Sequence, residues 1–168
     1  MTAGRFGLDS AERARIRLAA ELHDVGKAAI PDSILNKPGA LDEEEWKFVR
    51  RHTVIGQRIV AAAPSLAHAA DLVRWHHERY DGTGYPDHLE REDIPFGARI
   101  IAVSDAYDAM TSDRPYRGAI SPGEAVAELK QGAGTQFDPT VVEVFLATLA
   151  ESRTERRVAA SRRETRAA

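Results

Sequence analysis

The sequence predicts an all-α protein, and three observations support that class. Apolar residues recur at helical spacing in several segments, and cap-forming residues stand immediately before them. No segment sustains the strict polar and apolar alternation of a half-buried strand. The connecting segments, such as "DGTGYPDHLEREDIP" and "TSDRPYRG", are rich in Gly, Pro and Asp, which are typical loop residues. We therefore expect short loops at the rim of a helical bundle.

The first predicted helix is "DSAERARIRLAAELHD", in which a stripe of apolar residues repeats at helical spacing. The stripe consists of Ala11, Ala14, Leu18 and Leu22. Gly26 is expected to stop this helix. The next helix is "EEEWKFVRRH", preceded by a predicted capping box of Asp42 and Glu45. This reading places His52 late in the capped helix.

Four further helices are predicted along the chain. Two of them cover residues 65–78 and 96–111, where apolar residues follow helical spacing. A third helix is predicted to start after Ser121, which can cap it. Pro122 suits the first helical position, and the Glu124 carboxylate can bond back to the cap residue. Asp138 and Pro139 open the last one.

The 168 residues suffice for one domain, which we assign to residues 1–150. Residues 151–168 form a predicted tail with six arginines against three glutamates and no large apolar residues. This tail is either solvated or a contact for an anionic partner. The net charge of -3 does not favour binding to nucleic acid. No apolar run reaches the roughly 18 residues of a membrane span. We expect a cytoplasmic protein.

The absence of cysteine leaves imidazole and carboxylate groups as the possible metal ligands. Adjacent residues on an α-helix point about 100° apart, so His76 and His77 are expected to serve two neighbouring ions. The same reasoning applies to His23 and Asp24, whose carboxylate has two oxygens and can bridge two metals. The sequence therefore suggests a binuclear site.

Other residues extend this hypothesis or have a simpler explanation. His52 and Asp105 are further candidate ligands, and Asp105 stands beside the apolar residues of "ARIIAVSDAYDAM", where a lone carboxylate is costly to bury. His68 and His88 are assigned to no site. Lys27 is also placed to complement a helix dipole. Arg114 and Arg117 also fit a surface loop, and "DGTGYP" also fits a tight turn.

Taken together, four segments resemble one family. They are "HDVGK" at residues 23–27, His52, "HHERYDGTGYP" at 76–86 and "SDAYDAMTSDRPYR" at 104–117. In this order they resemble the HD-GYP domain, a bacterial branch of the HD phosphohydrolase superfamily. The resemblance runs from about Leu18 to Leu149 and implies an HD-superfamily helical bundle with a GYP loop extension.

The resemblance implies hydrolysis of the second messenger cyclic di-GMP to pGpG, GMP or both. It implies a cluster of two or three metal ions, iron or manganese, with Asp24 bridging and catalytic. The implied ligands are His23, Asp24, His52, His76, His77 and Asp105. Lys27 is implied beside the scissile phosphate as a catalytic and substrate-binding residue, with Arg114, Arg117 and Tyr85 also contacting substrate. It further implies docking of GGDEF-domain proteins through the GYP loop, and a homodimer.

One departure from the family pattern bears on activity. The family carries a further upstream helix with a glutamate and a histidine that complete the metal site, whereas only 22 residues precede His23 here and none is histidine. The resemblance thus implies a truncated bundle with at least one weakened metal position. An alternative function follows, a catalytically impaired module that binds nucleotide or a GGDEF-type partner. A hydrolase of other nucleotides is disfavoured by the GYP string.

Overall fold

The structure, a computed structural model, describes residues 2–113 and 118–152, and it confirms the all-α prediction. Eight α-helices follow one another in the described chain, with 3-10 segments at Thr2–Phe6, Val25–Ala29, Ala67–Ala69 and Arg91–Asp93. The helices are α1 (Ser10–Leu22), α2 (Asp32–Leu35), α3 (Glu43–Arg50), α4 (His52–Ala61), α5 (Ala70–Trp75), α6 (Phe96–Thr111), α7 (Pro122–Gln131) and α8 (139–152). In these ranges the sole β contact is an isolated bridge between Ala133 and Phe137.

The predicted helix caps are confirmed where the side chains can be followed. At α3 the Asp42 carboxylate accepts the Glu45 backbone N–H at 2.9 Å, and the Glu45 carboxylate accepts the Asp42 N–H at 2.9 Å. Ser121 and Glu124 form the same reciprocal pair at α7. The Asp138 carboxylate accepts the Thr140 N–H at 2.8 Å at the start of α8. Local cap chemistry therefore sets these helix starts.

The structure corrects two predictions about the helices. The capped helix does not run on to His52, because α3 ends at Arg50 and a separate helix, α4, begins at His52. In α1 the predicted apolar stripe is right only in its second half, because Leu18 and Leu22 pack against the core. Ala11 and Ala14 are exposed, and the buried residues are Ile16 and Ala19. Small alanines contribute little burial energy, so packing against α5 and α6 selects the face that carries Ile16.

The core lies between α1, α4, α5 and α6, with α7 and α8 packed beside it. Leu72, Val73, Ile101, Val103 and Leu129 are almost completely buried there. In particular, α4 packs closely on α5 and on the 3-10 segment Val25–Ala29. Within the described chain, no helix is both long and apolar enough to cross a membrane.

Candidate metal centre

The ends of several helices meet at one point of the bundle. His52 begins α4, His76 and His77 follow α5, and His23 with Asp24 follows α1. Asp105 projects from the middle of α6. All six predicted ligands are brought together, because α4 lies against both α5 and the segment after α1.

Gly26 makes this close approach possible. A Cβ atom at this position would lie 1.9 Å from the backbone oxygen of His52 and 2.6 Å from the backbone nitrogen of Gly56. Only glycine therefore fits between the 3-10 segment and α4. The prediction that Gly26 stops the first helix was wrong, since α1 already ends at Leu22. The role of Gly26 is to let the 3-10 segment pack closely against α4.

Three of the histidines have their orientation fixed by the backbone. His23, His52 and His76 each donate a hydrogen bond from Nδ1 to a carbonyl three residues earlier. The acceptors are Ala20, Val49 and Val73, at 2.7, 2.6 and 2.8 Å. A proton held on Nδ1 leaves the Nε2 lone pair free, as in histidines that bind metals.

Three polar atoms of this cluster have no hydrogen-bond partner among residues 2–113 and 118–152. His52 and His76 are each 1% exposed, and the Nε2 atoms of both are buried without a hydrogen bond, as is Oδ1 of Asp24. Leaving such polar atoms unpaired is costly, so three in one cluster indicate a ligand that the protein chain does not supply. The donor set of imidazole and carboxylate fits a divalent metal ion.

The candidate ligands form two overlapping triads. In each, one ligand atom per residue lies within 4.8 Å of the others, and the triads are His52, His76, His77 and His23, Asp24, His76. Asp24 faces both, with Oδ2 at 3.4 Å from Nε2 of His23 and Oδ1 at 3.6 Å from Nε2 of His52. The expected 100° between His76 and His77 does not apply, since α5 ends at Trp75 and the two rings lie 4.0 Å apart.

We call His52, His76 and His77 the imidazole group, and it is uncharged at neutral pH. Burial, together with the nearby His52, lowers the pKa of His77 to about 3. Burial and the adjacent His77 hold the pKa of His76 well below its usual range, and burial also lowers the pKa of His52. Neutral imidazole is the form that binds metal.

We call His23, Asp24 and Asp105 the carboxylate group, and it is ion-paired. Burial alone would lower the pKa of His23, but Asp105, at 3.5 Å, and Asp24 raise it to about 10. Burial would raise the pKa of both carboxylates, yet His23 holds both below their usual range, with help from Lys27 at Asp24. The Lys27 ammonium donates to Oδ2 of Asp24 at 2.6 Å. This group attracts positive charge.

The loop after His77 closes one side of the centre. The backbone N–H of Tyr85 donates to the His77 carbonyl at 3.2 Å, and the Tyr85 ring lies 5.0 Å from the His77 ring. Asp87 anchors the loop, since its carboxylate accepts two bonds from Arg74 at 2.5 and 2.7 Å and one from the Trp75 indole at 2.7 Å. Tyr85 is thereby held against a metal-site histidine.

Sequence reasoning missed two supports of this loop. Glu78 is buried, and its Oε1 accepts the Asp87 backbone N–H at 2.7 Å, which ties the loop back to the histidine pair. Arg74 and Asp87 are 13 residues apart, a separation that gives no recognisable local pattern. The only sequence signal was that Glu78 directly follows the paired histidines.

The remaining predicted residues are either outside the described part of the chain or outside the two triads. Arg114 and Arg117 fall outside the residues that the structure describes, as do residues 153–168 of the predicted tail. His68 and His88 are exposed and belong to neither triad, in line with their assignment to no site.

Known proteins with similar sequences and folds were compared with this chain. A family model described as HD domain matches residues 1–141. A cyclic di-GMP phosphodiesterase of Thermotoga maritima is 43% identical over 146 residues, which are 86% of this chain and 40% of that protein. The 3'3'-cGAMP-specific phosphodiesterase 2 of Vibrio cholerae is 40% identical over 143 residues, covering 84% of this chain and 27% of that protein.

A solved structure has the same fold. The crystal structure of the cyclic GMP-AMP specific phosphodiesterase V-cGAP3 of Vibrio cholerae superposes with a TM-score of 0.71 at 17% identity, covering 90% of this chain and 42% of that one. The chain thus spans less than half the length of these relatives. Since the family model covers most of the sequence, the chain belongs to the HD domain family, and the resemblance to its HD-GYP branch is confirmed.

Proposed function

We propose that this chain is a metal-dependent phosphodiesterase that hydrolyses cyclic di-GMP to pGpG, GMP or both. The observation that carries the proposal is the convergence of the partnerless Nε2 atoms of His52 and His76 with Oδ1 of Asp24. Histidine and aspartate ligands that serve more than one ion are typical of phosphoryl-transfer sites. The substrate class comes from relatives named for hydrolysis of cyclic dinucleotides.

The proposed ligands are the two groups of the metal centre, with two or three ions of iron or manganese. A donor set of nitrogen and oxygen without sulfur suits these metals. When bound, such ions would lower the pKa of water and offset the negative charge on a phosphate. Asp24 is the proposed bridge, because its two oxygens face different histidines.

The protein's own cations have separate proposed roles. Lys27 stands beside Asp24, where its ammonium can bind a phosphate oxygen and offset charge that develops during cleavage. Arg114 and Arg117 follow α6 in the sequence, and we assign them to the non-reacting phosphate oxygens. Tyr85 would form one wall of the substrate cavity. We keep three further predictions: docking of GGDEF-domain proteins through the GYP loop, a homodimer and a cytoplasmic location.

The catalytically impaired module is the alternative, and one experiment separates the two. The protein is purified anaerobically, its metal content is determined by elemental analysis, and hydrolysis of cyclic di-GMP is followed with added Mn²⁺ or Fe²⁺. We expect at least two ions per chain and the appearance of pGpG, which EDTA abolishes. Folded protein with less than one ion per chain and no hydrolysis would contradict the enzyme.

The same assay fixes the substrate. One relative from Vibrio cholerae carries a name specific for 3'3'-cGAMP, so both cyclic dinucleotides are compared by kcat/KM. We expect cyclic di-GMP to be preferred over 3'3'-cGAMP, and both over deoxynucleoside triphosphates. Faster hydrolysis of 3'3'-cGAMP would support the proposed reaction but replace cyclic di-GMP as the proposed substrate.

A further inference from the structure

One face of α3 carries an exposed aromatic residue and an exposed cation. Trp46 and Arg50 are four residues apart, so on this helix they are neighbours on the same face, about 5–6 Å from each other at Cβ. Trp46 is 46% exposed, which is unusual for the largest apolar side chain in the absence of a partner. The pair is therefore available to a ligand.

This face leads directly to the metal centre. The Arg50 guanidinium lies over the Tyr85 ring, 5.5 Å from its centroid. The Tyr85 ring in turn lies 5.0 Å from that of His77. Trp46, Arg50, Tyr85 and His77 thus form a continuous row from solvent to the candidate ligands.

The Arg50 guanidinium forms no ion pair within the described structure. Across residues 2–113 and 118–152, no carboxylate lies within ion-pairing distance of its guanidinium, whereas Arg74 and Arg99 are bound to Asp87 and Asp138. A guanidinium that stacks on a tyrosine and keeps its N–H groups free can donate to phosphate or to a base edge.

We propose that Trp46 and Arg50 form a nucleobase subsite next to the metal centre, an inference that rests on the proposed function. Trp46 stacks on the base farther from the cleaved phosphodiester, and Arg50 contacts the adjoining phosphate. Along the row, the His77 and Tyr85 ring centroids are 5.0 Å apart and the Arg50 guanidinium lies 5.5 Å from the Tyr85 centroid. Trp46 lies about one helical turn farther along, so the row has the scale of a dinucleotide. Every base offers a stacking face, so this subsite accepts guanine and adenine alike.

The same helix provides a matched control. Phe48 is 44% exposed, and the Arg51 guanidinium lies 5.8 Å from its ring centroid, so this pair repeats the chemistry of Trp46 and Arg50. Two residues along an α-helix correspond to a rotation of about 160° the short way around. Phe48 therefore lies on the opposite flank of α3 from Trp46.

The test compares Trp46→Ala, Trp46→Phe, Arg50→Ala and Phe48→Ala in steady-state hydrolysis of cyclic di-GMP, with metal content measured for each. We expect Trp46→Ala and Arg50→Ala each to raise KM about tenfold, a change larger than their effect on kcat, with metal retained. Trp46→Phe should restore most of the loss, and Phe48→Ala should leave KM unchanged. A KM for Trp46→Ala equal to that of Phe48→Ala would overturn the subsite and leave the proposed function standing.

Equilibrium dialysis with cyclic di-GMP covers the case in which the parent protein does not hydrolyse it. Binding by the parent that is about tenfold weaker in Trp46→Ala would support the subsite, although the proposed hydrolysis would have failed. Equal binding by parent and variant, or no binding by the parent, would overturn the subsite.

Discussion

The imidazole group and the carboxylate group of the metal centre lie side by side but differ in how their charges are balanced. His52, His76 and His77 are neutral, and the Nε2 atoms of His52 and His76 have no hydrogen-bond partner in the part of the chain that the structure describes. His23, by contrast, is placed to hold a proton between Asp24 and Asp105, while Lys27 bonds to Asp24.

This difference indicates what each group lacks without metal. A proton on His23 and the Lys27 ammonium already supply positive charge to the carboxylate group. Nothing in the described chain does the same for the imidazole group, whose burial opposes protonation. Metal binding should therefore displace a proton at the carboxylate group. At the imidazole group it should give the unpaired Nε2 atoms a partner without displacing a proton.

The largest effect is expected at His76, where the two triads overlap. His76 belongs to both triads, so His76→Gln should remove ligands from both and lower turnover of cyclic di-GMP about 1000-fold or more. Elemental analysis should show fewer bound ions per chain. His68→Gln, at an exposed histidine outside the triads, serves as the control and should behave as the parent. Full metal content in His76→Gln would refute its role as a ligand in both triads.

The contact that joins the two groups is the next target. In Gly26→Ala the new Cβ would meet the backbone of His52, which cannot move without shifting the start of α4. We expect a loss of about 3 kcal/mol in the free energy of unfolding, measured with urea, and weaker metal binding. At Gly123 a Cβ meets nothing closer than 3.8 Å, so Gly123→Ala should change stability little. Similar unfolding midpoints for the two variants would exclude the tight contact.

The contact of Gly26 with His52 is a feature that the sequence could not predict. The starts of α3, α7 and α8 could be predicted because a cap depends on residues three or fewer positions apart. The packing of Gly26 on His52 depends on residues 26 positions apart, and no local pattern encodes it. The same holds for the bond of Arg74 to Asp87.

The candidate ligands were predictable for a different reason. Four of them stand in adjacent pairs, His23 with Asp24 and His76 with His77, and together with His52 and Asp105 their order resembles a family. All six were therefore proposed before their geometry was known. Which of them are charged was not predictable. That property depends on burial and on neighbours such as Asp105 at 3.5 Å from His23, which only the packed helices define.

Lys27 tests whether the carboxylate group acts in catalysis beyond holding metal. Lys27→Ala should lower kcat about 10- to 100-fold while metal content is retained, because the ammonium acts on developing phosphate charge. Lys37→Ala is the matched control, since Lys37 is similarly exposed and is also ion-paired, with Glu45 at 2.5 Å. A Lys27→Ala protein that lost its metal instead would assign this lysine to the positioning of Asp24.

The smallest effect concerns the stability of the metal-free protein against pH. The folded pKa of His77, at about 3, lies below its unfolded value near 6.5, so its contribution is present above pH 6.5 and is lost as the pH falls toward 3. His52 and His76 are shifted in the same direction. For His23, raised to about 10, the contribution is complete below pH 6.5 and is lost only as the pH rises through 10.

Between pH 6.5 and 5, the free energy of unfolding should therefore fall by roughly 1.7 kcal/mol through His77 and further through His52 and His76, while the contribution of His23 stays constant. Urea unfolding in EDTA at several pH values measures this slope. His77→Gln should flatten it, because the variant has one group fewer that takes up a proton on unfolding, whereas His23→Gln should keep the parent slope. If both variants kept the parent slope, the imidazole group would not be held neutral by burial, and the electrostatic difference between the two groups would disappear.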